Sequence, residues 1–350
     1  MAVSNLLIGV LGAIVATNQP AALSNLVTET TGISISAVST NLTATNNPLA
    51  AELQKIEDAD DAAAAEVDGW IKQNNEFAAK GAGIPNAELN RRIHDKLDIS
   101  RKAYQDFIQR HPDYAPARVA YASLLHDLGD EDGEFDQLQK ARDLDPTIPS
   151  VWNNLANYYG EHGPTTNAFI CYEKAIQLNP NEPVYYHNFG TTIYLFRKDV
   201  KEYYHITEQQ TFDKALLLYS NSTRLDPTNF ELAYDVASTY YGIKPMRTND
   251  ALNAWTNTLK LAHDELEREG VYIHFARIQA LSGHFADAHK NLDAVTNDFY
   301  ATVKRGVARM LNEKEHPEIL TNEPPIGPPL PPAVLKTNSV EMEKSPSKTP

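Results

Sequence analysis

Three asparagines crowd the stretch WNNLANYYG: Asn153, Asn154 and Asn157. A carboxamide offers a donor and an acceptor together, so it can pair with the peptide groups of a bound chain whatever that chain's side chains are. Asparagine is also a mediocre helix former, costing roughly half a kcal/mol per residue relative to alanine. Three of them in nine residues of a helical pattern therefore call for a reason. Either they read a ligand, or they solvate an exposed helix face.

Other chemistry is sparse. No glycine-rich phosphate loop, HExxH or Gly-x-Ser-x-Gly pattern is present. The 11 histidines are scattered. His284 and His289 flank a turn and His205 lies near Glu208, neither at a metal-ligand spacing. The single cysteine, Cys171, has no internal partner for a disulfide, and thiolate zinc sites need several such residues; it is expected to be a small buried apolar residue. No catalytic residue, metal site or cofactor is expected. The net charge is −15, so no general field attracts phosphates and nucleic acid is excluded as a partner. The densest basic pairs, Arg91-Arg92 and Arg101-Lys102, read as the solvated side of a helix.

The elements that must position these residues are helical. An Ala- and Glu-rich stretch from about Ala50 ends at Gly81 and Gly83, and Pro85-Asn86 opens a second segment. There Leu89, Ile93, Leu97, Tyr104, Phe107 and Ile108 form an amphipathic stripe. A repeat then takes over. Pro112, Pro146 and Pro180 are 34 residues apart, and Pro227 follows 47 residues later, which is 34 plus an insertion of 13 near 196–210. Such a period is the mark of stacked two-helix units.

The residues between the prolines name the unit. Trp152, Leu155, Ala156 and Tyr159, then Ala168, Tyr172, Ala175 and Pro180, resemble the tetratricopeptide repeat, with Ala156 for its glycine and Tyr172 for its phenylalanine. Looser copies start at Ala115, Pro183 and Phe230, and a fifth contains Ala276, Gly283, Phe285, Ala288 and Leu292. The resemblance implies an all-α, right-handed superhelical solenoid of about five helix pairs. The expected organisation is an apolar N-terminal segment (1–32), a linker (33–50), a helical lead-in (51–114), repeats (115–300), a capping helix (301–314) and a proline-rich, disordered tail (315–350).

The resemblance also implies which residues of the first helix of each pair line a concave groove. These are Asn153, Asn154 and Asn157; then His187, Asn188 and Thr191; then Tyr234, Asp235 and Ser238; and His274 as the nearest equivalent in the fifth unit. A carboxylate clamp of the co-chaperone kind needs Lys or Arg around such asparagines, and those are missing. An asparagine ladder, as in the O-linked N-acetylglucosamine transferase superhelix, matches at Asn154 and Asn188 and departs at Asp235 and His274. The expected function is thus a non-catalytic scaffold binding a protein or extended peptide.

The alternative is a structural spacer or assembly protein tethered through residues 1–32. Within them LLIGVLGAIVA, 11 apolar residues, is too short to span a bilayer and lacks the basic flank of a signal peptide. Self-association, export and shallow membrane attachment all stay open for it. Localisation is expected to be cytoplasmic, with the cell envelope or export as the alternative. In the tail, Pro325-x-x-Pro328 and Pro328-x-x-Pro331 could dock on an aromatic groove or serve as a solvated spacer.

Overall fold

A computed structural model describes residues 47–79 and 81–317, and every regular element among them is helical. The apolar segment 1–32, most of the linker and all but three residues of the proline-rich tail lie outside the described residues. The lead-in is a pair, α1 (Pro48–Ala79) and α2 (Asn86–Arg110). Helix α1 starts three residues inside the expected linker, because proline is well suited to a first helical position. No described helix is long and apolar enough to cross a membrane.

Five helix pairs follow: α3 (Ala115–Asp127) with α4 (Glu131–Leu144), and α5 (Pro149–His162) with α6 (Thr165–Leu178). Next, α7 (Pro183–Leu195) pairs with α9 (Glu208–Leu225) across the short α8 (Arg197–Tyr204). Then come α10 (Phe230–Thr239) with α11 (Thr248–Leu261), and α12 (Glu265–Leu281) with α13 (Phe285–Asp293). Finally α14 (Ala301–Glu315) packs on α12 and α13. Helix α8 is most of the insertion, and it folds back onto α6. Its Tyr203 and Tyr204 rings meet Phe169, and the Tyr204 hydroxyl donates to Glu173 at 2.6 Å.

Local chemistry sets the punctuation. Gly129, Gly163 and Gly283 turn the chain between the two helices of their pairs with φ near +70 to +80°, a region open to glycine without steric cost. Second helices end two residues before the expected proline, at Leu144 and Leu178. Asp145 and Asn179 are extended, as a residue preceding proline must be, and the helix stops there rather than at the proline itself.

Four of the five junctions are then closed by a side chain bonded to the carbonyl six residues before it. The carbonyls of Pro112, Pro146 and Pro180 accept from Arg118, Trp152 and Tyr186 at 2.8, 2.8 and 3.0 Å. All three donors lie six residues after their proline. In the fifth unit Arg268 donates to Ala262 in the same way at 3.1 Å.

The apolar interior is not uniform. One cluster runs from Val119 through Leu155, Phe169, Tyr172 and Phe189 to Tyr219, spanning the first three repeats. A separate cluster around Trp255 serves the fourth, another around Ala276 and Leu311 serves the fifth and α14, and one around Phe107 serves the lead-in. Burying a Leu- or Phe-sized side chain is worth about 1.5–3 kcal/mol, so these clusters carry most of the stability.

Candidate functional site

The first helix of each pair is held close to the second by a small residue. A Cβ on Gly190 would lie 3.0 Å from the Tyr219 ring and 3.3 Å from the Ala215 carbonyl. Ala156 holds the same place in α5, fully buried beside Ala168 and Ala175. The ten residues singled out above lie on α5, α7, α10 and α12. The structure divides them into three groups.

The first is an amide relay. Asn188 on α7 donates through Nδ2 to Asn153 Oδ1 on α5 at 3.2 Å, and Asn153 Nδ2 donates to Asn154 Oδ1 at 3.1 Å. Asn153 and Asn154 are buried and Asn188 is half-buried. The asparagines therefore do not form a freely solvated face; two repeats are joined through them. Asn157 is engaged differently: it accepts from the Tyr172 hydroxyl at 2.7 Å, and that hydroxyl accepts from Thr192 Oγ1 at 3.3 Å. Among the described residues the relay leaves the Nδ2 of Asn154 and the Oδ1 of Asn188 without a hydrogen bond.

The second group sits between α7 and α10. His187 Nε2 is 3.3 Å from Asp235 Oδ2, without the alignment of a hydrogen bond. Among the described residues neither Asp235 oxygen, nor His187 Nε2, nor Ser238 Oγ has a hydrogen-bond partner, and all four atoms are shut off from solvent. The Asp235 side chain is 2% exposed. Thr191 is paired with the Tyr219 hydroxyl at 3.0 Å beside them.

The third group is an aromatic box. Both ring nitrogens of His274 meet tyrosine hydroxyls, Tyr234 at 2.6 Å and Tyr241 at 3.0 Å. The imidazole lies flat on the Trp255 indole, with centroids 4.0 Å apart. Arg277 covers the Tyr241 ring. Burial, and secondarily the Arg277 charge, push the His274 pKa down to about 3. Burial raises the Tyr234 hydroxyl well above the usual tyrosine range. This group is filled by its own members and works as core.

Over the first three repeats the small residues Ala156 and Gly190, the turns at Gly129 and Gly163, and the bond to residue i−6 from Arg118, Trp152 and Tyr186 all recur after 34 residues. The chain folds as a tetratricopeptide-type solenoid. No family model matches it, and no curated sequence does. It is similar to the solved structure of YrrB, a TPR protein with an unusual peptide-binding site, at 15% identity over 60% of this chain and 99% of that one, with a TM-score of 0.45. It is similar to Pseudomonas aeruginosa PilF at 15% identity over 74% of this chain and 99% of that one, with a TM-score of 0.46. It is also similar to the APC/C hetero-tetramer Cut9–Hcn1 at 13% identity, 83% of this chain and 54% of that one, with a TM-score of 0.47. At such identities the likeness concerns the fold alone.

Within the tetratricopeptide pairs, two site residues escaped the sequence. Tyr172 and Tyr219 occupy the same place in successive second helices and read as core fillers. Their hydroxyls, however, reach the first helices at Asn157 and Thr191. The signal was the phenolic oxygen itself: tyrosine stands where the repeat pattern asks for phenylalanine, and a buried hydroxyl needs a partner. Among the described residues no group of three or more His, Cys, Asp or Glu could hold a metal ion.

Proposed function

We propose that the chain is a non-catalytic protein-interaction scaffold whose first-helix face takes an extended segment of a partner protein. One observation carries the reading. Asn154 and Asn188 stand at the same position of consecutive repeats, are oriented by a shared amide relay, and among the described residues keep one donor group and one acceptor free. A donor–acceptor pair held in this way matches the alternating N–H and C=O groups of an extended peptide. The relay also costs the ligand little, because the ordering of the amides has already occurred in the free protein.

The test is retention of an extended-peptide library by the immobilised full-length chain, compared with Asn188→Ala. Asn188 is the better of the two ladder positions to change, since Asn154 is buried and its loss disturbs the core. The expected result is retention by the parent chain and a loss of about tenfold or more in the variant, at a melting temperature lowered by only a few degrees. Equal retention by the variant, or none by the parent, would overturn the reading.

A further inference from the structure

The first helices of the second to fifth repeats, α5, α7, α10 and α12, carry only two Lys or Arg residues between them, Arg268 and Arg277. Arg268 is taken up locally, by Glu265 at 3.2 Å and the Ala262 carbonyl at 3.1 Å. Arg277 is not. Among the described residues its guanidinium makes no hydrogen bond and no ion pair, and none of its nitrogens is shut off from solvent. The chain has 46 Asp and Glu against 31 Lys and Arg. Carboxylates are in excess, yet none of the described ones reaches this cation.

Arg277 is fixed all the same. Its guanidinium carbon lies over the Tyr241 ring, 4.8 Å from the centroid. Tyr241 is held in turn, because its hydroxyl meets His274 Nδ1 at 3.0 Å and His274 is stacked on Trp255. Arg277 is half-buried, whereas His274 within the box is 2% exposed. A guanidinium laid over a ring uses its face and keeps its in-plane N–H groups, which are donors only. The matching group is a carboxylate, which accepts two parallel bonds from such a fork.

The register ties this residue to the amide relay. Arg277 precedes the turn glycine Gly283 by six residues, as Asn157 precedes Gly163. It follows His274 by three, as Asn157 follows Asn154. Residues three apart are neighbours on a helix surface. Arg277 thus adjoins, in the fifth repeat, the helix position that Asn154 and Asn188 occupy in the second and third.

We infer that Arg277 receives the carboxylate of an aspartate or glutamate side chain in the bound partner segment. The inference rests on the scaffold reading above and names the chemistry of its partner. The aromatic platform keeps the ordering cost low, since the guanidinium is held before the acid arrives. The rest of the chain, with a net charge of −15, repels acids. An acidic residue is therefore favoured at one place along the segment and disfavoured at the others.

The experiment is a positional-scanning library of extended octadecapeptides with amidated C-termini, each position carrying glutamate or glutamine, on the immobilised full-length chain. Arg277→Gln and Arg277→Met are run beside it, with melting temperatures to confirm folding. A second copy of the library with free C-termini separates a side-chain carboxylate from a terminal one. One position is expected to favour glutamate over glutamine by about tenfold or more in both libraries, and both variants lose that preference. Retention with no preference for glutamate overturns the inference and leaves the scaffold reading standing. So does a preference that survives both variants, or retention that appears only with a free C-terminus. A chain that retains no peptide from either library overturns both.

Discussion

The junction between the second and third repeats and the junction between the third and fourth are built from the same helix positions with opposite chemistry. At the first, Phe189 stacks on Tyr172 in a continuous apolar core, and the neighbouring amides are linked in a chain: Asn188 to Asn153, Asn153 to Asn154. At the second, the core of the first three repeats reaches the fourth only through Val236, Tyr240 and Ile243, and the equivalent positions hold a carboxylate, a hydroxyl and an imidazole that make no hydrogen bond among the described residues. One junction is closed by packing and an amide relay that crosses it. The other is closed around unmet polarity. The difference shows that a repeat pattern fixes where helices meet without fixing how firmly they meet.

The sharpest way to break the comparison is Phe189→Ala. It opens a cavity in the shared core and should lower the unfolding free energy by about 3–5 kcal/mol in denaturant titration. A loss no greater than that of a surface substitution would mean that the second junction is not the firm one.

Acid should bear on the fourth repeat through His274. Its folded pKa is depressed to about 3 against an ordinary value of 6.5. The folded form thus binds fewer protons than the unfolded chain in that window. Its stability contribution is complete above about pH 6.5 and falls by about 1.4 kcal/mol per pH unit as pH drops toward 3. Replacing His274 by Phe should flatten the pH dependence of the denaturation midpoint between those limits. An unchanged slope would place the acid sensitivity elsewhere.

Asp235→Asn should move in the opposite direction from Phe189→Ala. It removes a buried charge with no hydrogen bond, and a gain of about 1–3 kcal/mol is expected, read as a raised denaturant midpoint. A fall would show that His187 and Asp235 form a net stabilising ion pair, and the two junctions would then be alike. The smallest effect is expected from Asn153→Ala. It deletes the centre of the amide relay and should cost about 1–2 kcal/mol in the same titration. A neutral result would make the relay incidental to the second junction.

Much of this arrangement was legible in the sequence. The 34-residue spacing of Pro112, Pro146 and Pro180 reports the helix pairs, because a residue before proline must be extended and so ends the second helix. The small residues Ala156 and Gly190 report helix contact because nothing larger fits. The polar positions were also legible as a set, since they are the residues the packing pattern does not use.

Their state was not legible. Asn153 and Asn154 look solvated until Asn188, 35 residues away, is seen to bond across the junction. Asp235 looks like the acidic end of an open face until it is found under it. His274 looks like a polar ladder position, whereas two tyrosines and Trp255 enclose it. Periodicity encodes which side a residue faces. Burial on that side depends on long-range approach, which no local spacing records.

The chain has three tryptophans, and each lies in a different apolar cluster: Trp70 against the lead-in, Trp152 against the first three repeats, Trp255 in the fourth. Their surroundings differ optically as well as structurally. The Trp152 indole N–H is tied to the Pro146 carbonyl, while Trp255 carries an imidazole stacked on its face. Variants that keep one tryptophan at a time turn the solenoid into a set of separate fluorophores. Each then reports the melting of its own segment, so the order in which lead-in, central repeats and fourth repeat come apart can be followed in a cuvette by emission alone.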